Sequence, residues 1–406
     1  MDHEMLTRED RRRYSLSQHE LERRWKAVRE RMAAKGISHL VVQSQQRFVG
    51  GYFRWFTDLP GNNYHITAVF PLDEEMTIIG HGAPAPAPPA TPPEWALRGM
   101  KERINTPAFP NVWWEDAWDA DKAVAVIKRK QPGVVGLVGL GNMSAALYEN
   151  LQRGLQGVTV INATDLVDQV RMVKSEEELK LHREAAYMHE MSWEVTKKAI
   201  RSGRTAGEVI EDIRHAQVLA GSEEQQINIT FGPPGGAHYS QSSWGNAVVR
   251  RKFQHGDIVN ILIESSAAGG YWYDLRRFLC VGSAPGELQD AYALVKEARN
   301  ILAANLKPGM VPSIALAASD NFLKSKGSPP EARVAGHGQG LDLVERPVVR
   351  PEETAELQEN MVVSLHPTAK VKNVAASLAD TYVIGNSGAV PLYGNLYDDN
   401  ELVIVE

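Results

Sequence analysis

Apolar residues recur at helical spacing among charged ones from Leu21 to Met32, which predicts an amphipathic helix. His39–Gln43 and Ile66–Phe70 are short apolar runs with β-branched residues and predict strands. Pro84 to Pro93 carries six prolines; it can be neither helix nor central strand and predicts a surface loop. Gly136-Leu-Val-Gly-Leu-Gly-Asn142 has a faint likeness to a dinucleotide-binding fingerprint, but the third glycine is missing and no acidic ribose partner follows. A tight strand-to-helix turn accounts for it better. Residues 1–163 thus read as an α/β domain, with a junction over Asp165–Ser175.

Beyond the junction, Ser175 and Glu178 stand at capping-box spacing, as do Thr205 and Glu208. The first pair predicts a long helix to about Arg201, the second opens another helix, and a third is expected from about Glu287 to Asn305, ahead of Lys307-Pro308-Gly309. β segments are expected at Val259–Glu264, Trp272–Val281, Met361–Leu365 and Asp380–Ile384, so helices and hairpins alternate in two similar halves.

At 406 residues and 43% hydrophobic, the chain can bury a large core divided among two or three domain-sized units. A net charge of −6 gives no general attraction to nucleic acid or an anionic membrane. No signal peptide and no apolar run long enough to span a bilayer is evident. The single cysteine, Cys280, excludes an internal disulfide and suits a reducing, cytoplasmic setting.

The chemistry gathers in four segments. They are Gly270-Tyr-Trp-Tyr-Asp-Leu-Arg-Arg277, Gly336-His-Gly-Gln-Gly-Leu-Asp342, Ser364-Leu-His-Pro367 and Ala379-Asp-Thr381. In this order and spacing they resemble the pita-bread hydrolases: aminopeptidase P, prolidase, methionine aminopeptidase and creatinase. The resemblance spans about residues 20–400 and is most specific between 230 and 385. It implies an α+β protein, with an N-terminal creatinase-like α/β domain (1–163) followed by a C-terminal pita-bread domain (164–406) of two αββ halves around an antiparallel sheet.

The peptidases of that family bind two metal ions through Asp, Asp, His, Glu and Glu. Here Leu262 stands at the first aspartate, two residues before Glu264, which shares its strand face. Glu264 can supply a displaced carboxylate or be a solvated strand-end residue. Asp274 matches the second aspartate and is either a ligand or the partner of Arg276 or Arg277. His337 matches the metal histidine, between two glycines that permit close approach. His366 replaces the first glutamate, Ala379 the second, and Val344 the histidine that assists proton transfer. A two-ion clamp is therefore not expected. Asp274, His337 and His366 form a candidate mononuclear set for Mn, Fe or Zn, and the alternative is no metal, as in creatinase.

Gly235-Gly-Ala-His238 resembles the segment that carries creatinase's catalytic histidine, which makes His238 a candidate general acid/base or else a loop histidine bonded to backbone. Arg276 and His366 stand where creatinase grips a cationic substrate, so an anionic or neutral ligand is expected. Arg54, among Tyr52, Phe53, Trp55 and Phe56, is a candidate for covering the site in a homodimer, or a seam or core position. The leading expectation is a creatinase-like hydrolase cleaving a C–N bond of a small non-peptide substrate, with His238, Asp274 and His337 catalytic and Arg276, Glu264 and Arg54 binding substrate. A lyase, a catalytically silent binding protein and an Xaa-Pro dipeptidase are the alternatives.

Overall fold

The computed structural model describes residues 14–44, 51–60, 64–82, 94–108, 112–243, 249–392 and 401–406. The proline-rich stretch Pro84–Pro93 lies outside them. Two compact units emerge: Ser15–Arg171, and Met172–Glu406 together with Tyr14.

In the first unit, α1 (Gln18–Ala34) covers the expected amphipathic helix and begins where Ser17 accepts from the Glu20 amide. Six strands follow in the chain: β1 (Ile37–Gln43), β2 (Thr67–Pro71), β3 (Met76–His81), β4 (Met100–Thr106), β5 (Val134–Val138) and β6 (Val160–Asn162). They form one sheet in the order β4-β3-β2-β1-β5-β6. Helices α2 (Gly51–Thr57), α3 (Trp118–Ile127), α4 (Ala145–Gly154) and α5 (Thr164–Arg171) complete the unit. The Gly136 segment is the end of β5 turning at Gly139, whose φ of 69° is left-handed, into a short helical turn. It makes a strand-to-helix corner, as its missing third glycine suggests.

The second unit starts with α6 (Glu176–Ala199) and α7 (Ala206–Leu219), and both expected capping boxes are formed. One sheet contains β7 (Glu224–Gly232), β8 (Tyr239–Ser242), β9 (Ile258–Ser266) and β10 (Trp272–Val281), with α8 (Gly286–Asn305) and α9 (Pro312–Ser325) next in the chain. The other strands are β11 (Gly336–Gly338), β12 (Glu345–Val348), β13 (Val362–Leu365), β14 (Thr368–Val371), β15 (Val374–Ser377), β16 (Asp380–Gly385), β17 (Gly388–Pro391) and β18 (Val403–Val405). Strand orders are β18-β10-β9-β7-β8 and β12-β11-β13-β16-β17, with β14 and β15 as a separate hairpin. An antiparallel bridge between Arg276 of β10 and Ala379, just before β16, links these two sheets.

Helix α9 escaped the sequence pattern because its buried face is small. Ala315, Leu316, Ser319 and Leu323 repeat at helical spacing, but alanine and serine weaken the contrast with the polar face. Among the described residues no helix is long and apolar enough to cross a membrane.

Candidate active site

The β9–β10 pair sets the site. Register places Glu264 directly opposite Asp274 and Leu262 directly opposite Arg276. Since side chains alternate faces, these four residues share one face. The three-stranded arrangement of β11, β12 and β13 brings in His337, and His366 follows β13. The glycines beside His337 are required by packing: a Cβ on Gly336 would lie 2.5 Å from the Ser364 carbonyl oxygen, and one on Gly338 2.3 Å from that of Arg346.

Leu262, Glu264, Asp274, Arg276, Arg333, Val334, His337, Val344, His366 and Ala379 line one basin of about 160 Å³. Five of the candidates read from sequence thus meet there: Glu264, Asp274, Arg276, His337 and His366. Arg333, which is exposed, was not anticipated; it lies in a loop without periodicity, and no local pattern marks it.

The electrostatics follow from burial. Asp274 is 1% exposed and its carboxyl is pushed well above the ordinary range, first by desolvation, while the nearby Ser364 and Gln339 side chains and Arg276 pull the other way. Glu264 is raised by desolvation and then by the like charge of Asp274. His337 Nδ1 donates to the Gly338 carbonyl at 3.0 Å, which leaves Nε2 facing Asp274 Oδ2 at 3.4 Å. Burial lowers His337, and burial first, with the positive charge of Arg276 acting the same way, lowers His366 to about 3, so both rings are neutral near pH 7.

Two candidates do not join this group. His238 is exposed on the turn between β7 and β8. A Cβ on Gly232 would lie 3.2 Å from the His238 Cα, and Gly232 pairs with Ile258. Glu264 is six residues farther along β9, roughly 20 Å at ~3.3 Å per residue. The strand register thus places the His238 turn at the far end of the sheet from the Glu264–Asp274 pair. Arg54 lies on α2 in the first unit, where its charge acts on Asp58.

Arg277 is not a partner of Asp274, because the strand alternation turns it to the opposite face. There it donates to Asp380 at 2.6 Å, and Arg299 of α8 holds the other carboxylate oxygen at 2.5 Å. Glu345 pairs with buried Lys174 at 2.8 Å instead of reaching the basin. Cys280 packs among apolar residues against α8, and burial pushes its thiol up to about 11.

Residues 180–386 match the metallopeptidase family M24, and residues 24–173 match the creatinase/prolidase N-terminal domain. The chain belongs to the M24 family. The probable dipeptidase PepE of Mycobacterium tuberculosis (strain ATCC 25618 / H37Rv) is 27% identical over 238 residues, 58% of this chain and 62% of its own. The Xaa-Pro dipeptidase of Pyrococcus furiosus is 23% identical over 251 residues, 61% of this chain and 71% of its own. The chain therefore spans 62% of the length of the mycobacterial dipeptidase it matches. Among solved structures, an X-Pro aminopeptidase from Thermotoga maritima superposes with a TM-score of 0.76 at 16% identity, covering 94% of this chain and 99% of the other. The dipeptidase PepE from Mycobacterium ulcerans gives 0.75 at 20%, covering 96% and 99%. The fold is that of the pita-bread proteins, with its N-terminal domain in place.

A metallopeptidase family implies metal, and the residues can be tested for fit. Two wall positions of the basin, Leu262 and Ala379, offer no ligand atom. Among the described residues no group of three or more His, Cys, Asp or Glu side chains is arranged to hold an ion. Asp274 Oδ2 and His337 Nε2 lie 3.4 Å apart, and the His337 and His366 rings lie 5.0 Å apart, tilted by 53°. The donor set fits neither a two-ion centre nor the expected Asp274–His337–His366 set in this arrangement.

Proposed function

We propose that this protein hydrolyses a C–N bond in a small, carboxylate-bearing substrate of dipeptide size, with Xaa-Pro dipeptides as the first class to test. The observation that carries this reading is the pair of carboxyl groups, Glu264 and Asp274, facing each other across β9 and β10 beside Arg276. Two carboxyls so close in a poorly solvated basin do not both ionise readily. The ionised member takes a proton from water, and the protonated member gives one to the departing nitrogen. His337 Nε2 is placed to exchange a proton with Asp274. Arg276 and Arg333 provide positive charge for the substrate's carboxylate. The names of the relatives support a peptide bond as the target.

Incubation with Ala-Pro and Gly-Pro, with manganese and with chelator, tests the reading by release of free proline. Glu264→Gln is expected to lower kcat/KM by at least ~100-fold. No cleavage of either dipeptide under any condition would remove the peptidase assignment. A second reading, cleavage of a non-peptide C–N bond as in creatinase, is favoured by Leu262 and Ala379, which leave the two-ion clamp without ligands.

A further inference from the structure

We infer that Arg276 is the resident cation of this basin, a fixed guanidinium that holds a substrate carboxylate where the family's name implies a metal ion. The inference rests on the hydrolase reading for its substrate, although its geometry stands on its own.

Three observations converge on this side chain. Its strand neighbours are both apolar: Leu262 lies opposite on β9, and Ala379 lies across the bridge, exchanging two backbone hydrogen bonds with it at 3.3 Å each. Small or apolar residues on both flanks leave a long guanidinium room to lie in the basin. The side chain is also under-used. Nη1 donates to the neutral Ser377 hydroxyl at 3.2 Å, while Nε is buried without a hydrogen-bond partner. Arg276 makes no ion pair among the described residues, so its charge is not cancelled by a direct contact. Finally, it shares its strand face with Asp274, and its charge opposes the rise of both basin carboxyls.

A divalent ion held by Glu264 and Asp274 would meet this positive charge at close range, and like charges in a poorly solvated site repel. The same guanidinium, planar and with several unused donors, matches the two oxygens of a carboxylate. A lysine would supply the charge without the fork. The basin therefore selects substrates with a carboxylate near the scissile bond and disfavours ion uptake.

The test measures ions and ligand separately. Wild type, Arg276→Gln and Arg276→Lys are each dialysed against Mn²⁺, Co²⁺ or Zn²⁺, desalted and assayed for metal per chain by elemental mass spectrometry, with circular dichroism to confirm folding. Wild type and Arg276→Lys are expected to retain well under ~0.1 ion per chain, and Arg276→Gln about tenfold more, because only the glutamine removes the charge. Calorimetric titration with L-proline, a carboxylate probe, is expected to show binding to wild type, weakened at least ~10-fold in Arg276→Gln and by a smaller factor in Arg276→Lys. One or more ions per chain in wild type would overturn the inference, as would equal proline affinity in wild type and Arg276→Lys. If Arg276→Gln does not fold, those two measurements still decide. Neither readout uses turnover, so a failure here is distinguishable from a failure to cleave Ala-Pro.

Discussion

Arg276 and Arg277 are neighbours in sequence and occupy opposite faces of one strand, with opposite fates. Arg277 is fully buried and its charge is matched, since it shares Asp380 with Arg299 and also donates to the Ala379 carbonyl at 3.0 Å. Arg276 is half-buried, and among the described residues its side chain bonds only a serine hydroxyl and faces two carboxyls it does not contact as ion pairs. A buried charge matched by its partners holds sheet to helix. A charge left partly unmatched beside carboxyls with raised pKa values is what a binding site requires. The contrast separates scaffold from chemistry without reference to any relative.

The largest expected effect breaks the scaffold side. Asp380→Asn leaves two buried guanidinium groups without a counter-charge, and the loss should be about 3–5 kcal/mol. Arg276→Gln removes a charge with no ion-pair partner, and its cost should stay within about 1 kcal/mol. Urea unfolding monitored by tryptophan fluorescence measures both. Comparable losses in the two variants would end the distinction between a structural and a functional arginine.

This contrast was only half legible in the sequence. A period of two puts Glu264 on the face of Leu262, and Arg276 on that of Asp274, from letters alone. The glycines around His337 marked a close approach that the packing of Ser364 and Arg346 explains. Asp380 carried no sign of its role, because its partners Arg277 and Arg299 lie on a strand and a helix about 100 and 80 positions earlier. The place of His238 in the fold was hidden for a related reason. A motif fixes a residue's place along the chain, whereas the site depends on where a hairpin turns, and register sets that turn level with Ile258.

The next effect sharpens the functional side. Glu264 sits above the ordinary carboxylate pKa because of burial and the nearby Asp274, so the fold favours its protonated form. Stability linked to this group is fully present below the unfolded value near 4.5 and is lost as pH rises through the folded one. Glu264→Gln removes that dependence. Its melting temperature relative to wild type should rise between about pH 5 and pH 8, by an amount corresponding to about 1 kcal/mol, while hydrolysis is lost. A variant that loses activity and also loses stability across that range would make Glu264 a structural residue and return it to the side of Arg277.

The smallest effect probes the helix-facing side of the same strand. His189 of α6 is fully buried, its ring lies 4.9 Å from that of Tyr273, and Nδ1 donates to the Ala185 carbonyl at 2.8 Å. Burial lowers it to about 4 from 6.5. Here the sign is reversed relative to Glu264. The unfolded chain takes up the proton first, so stability is present above 6.5 and is lost as pH falls toward the folded value. Between about pH 7 and about pH 6 this single ring should remove ~0.7 kcal/mol. His189→Leu should flatten that part of the acid slope in urea midpoints and leave the slope near neutral and above to the basin carboxyls. An unchanged acid slope in His189→Leu would mean that the ring is protonated in the fold, and the helix-facing side of β10 would then hold a charge not counted among its matched ones.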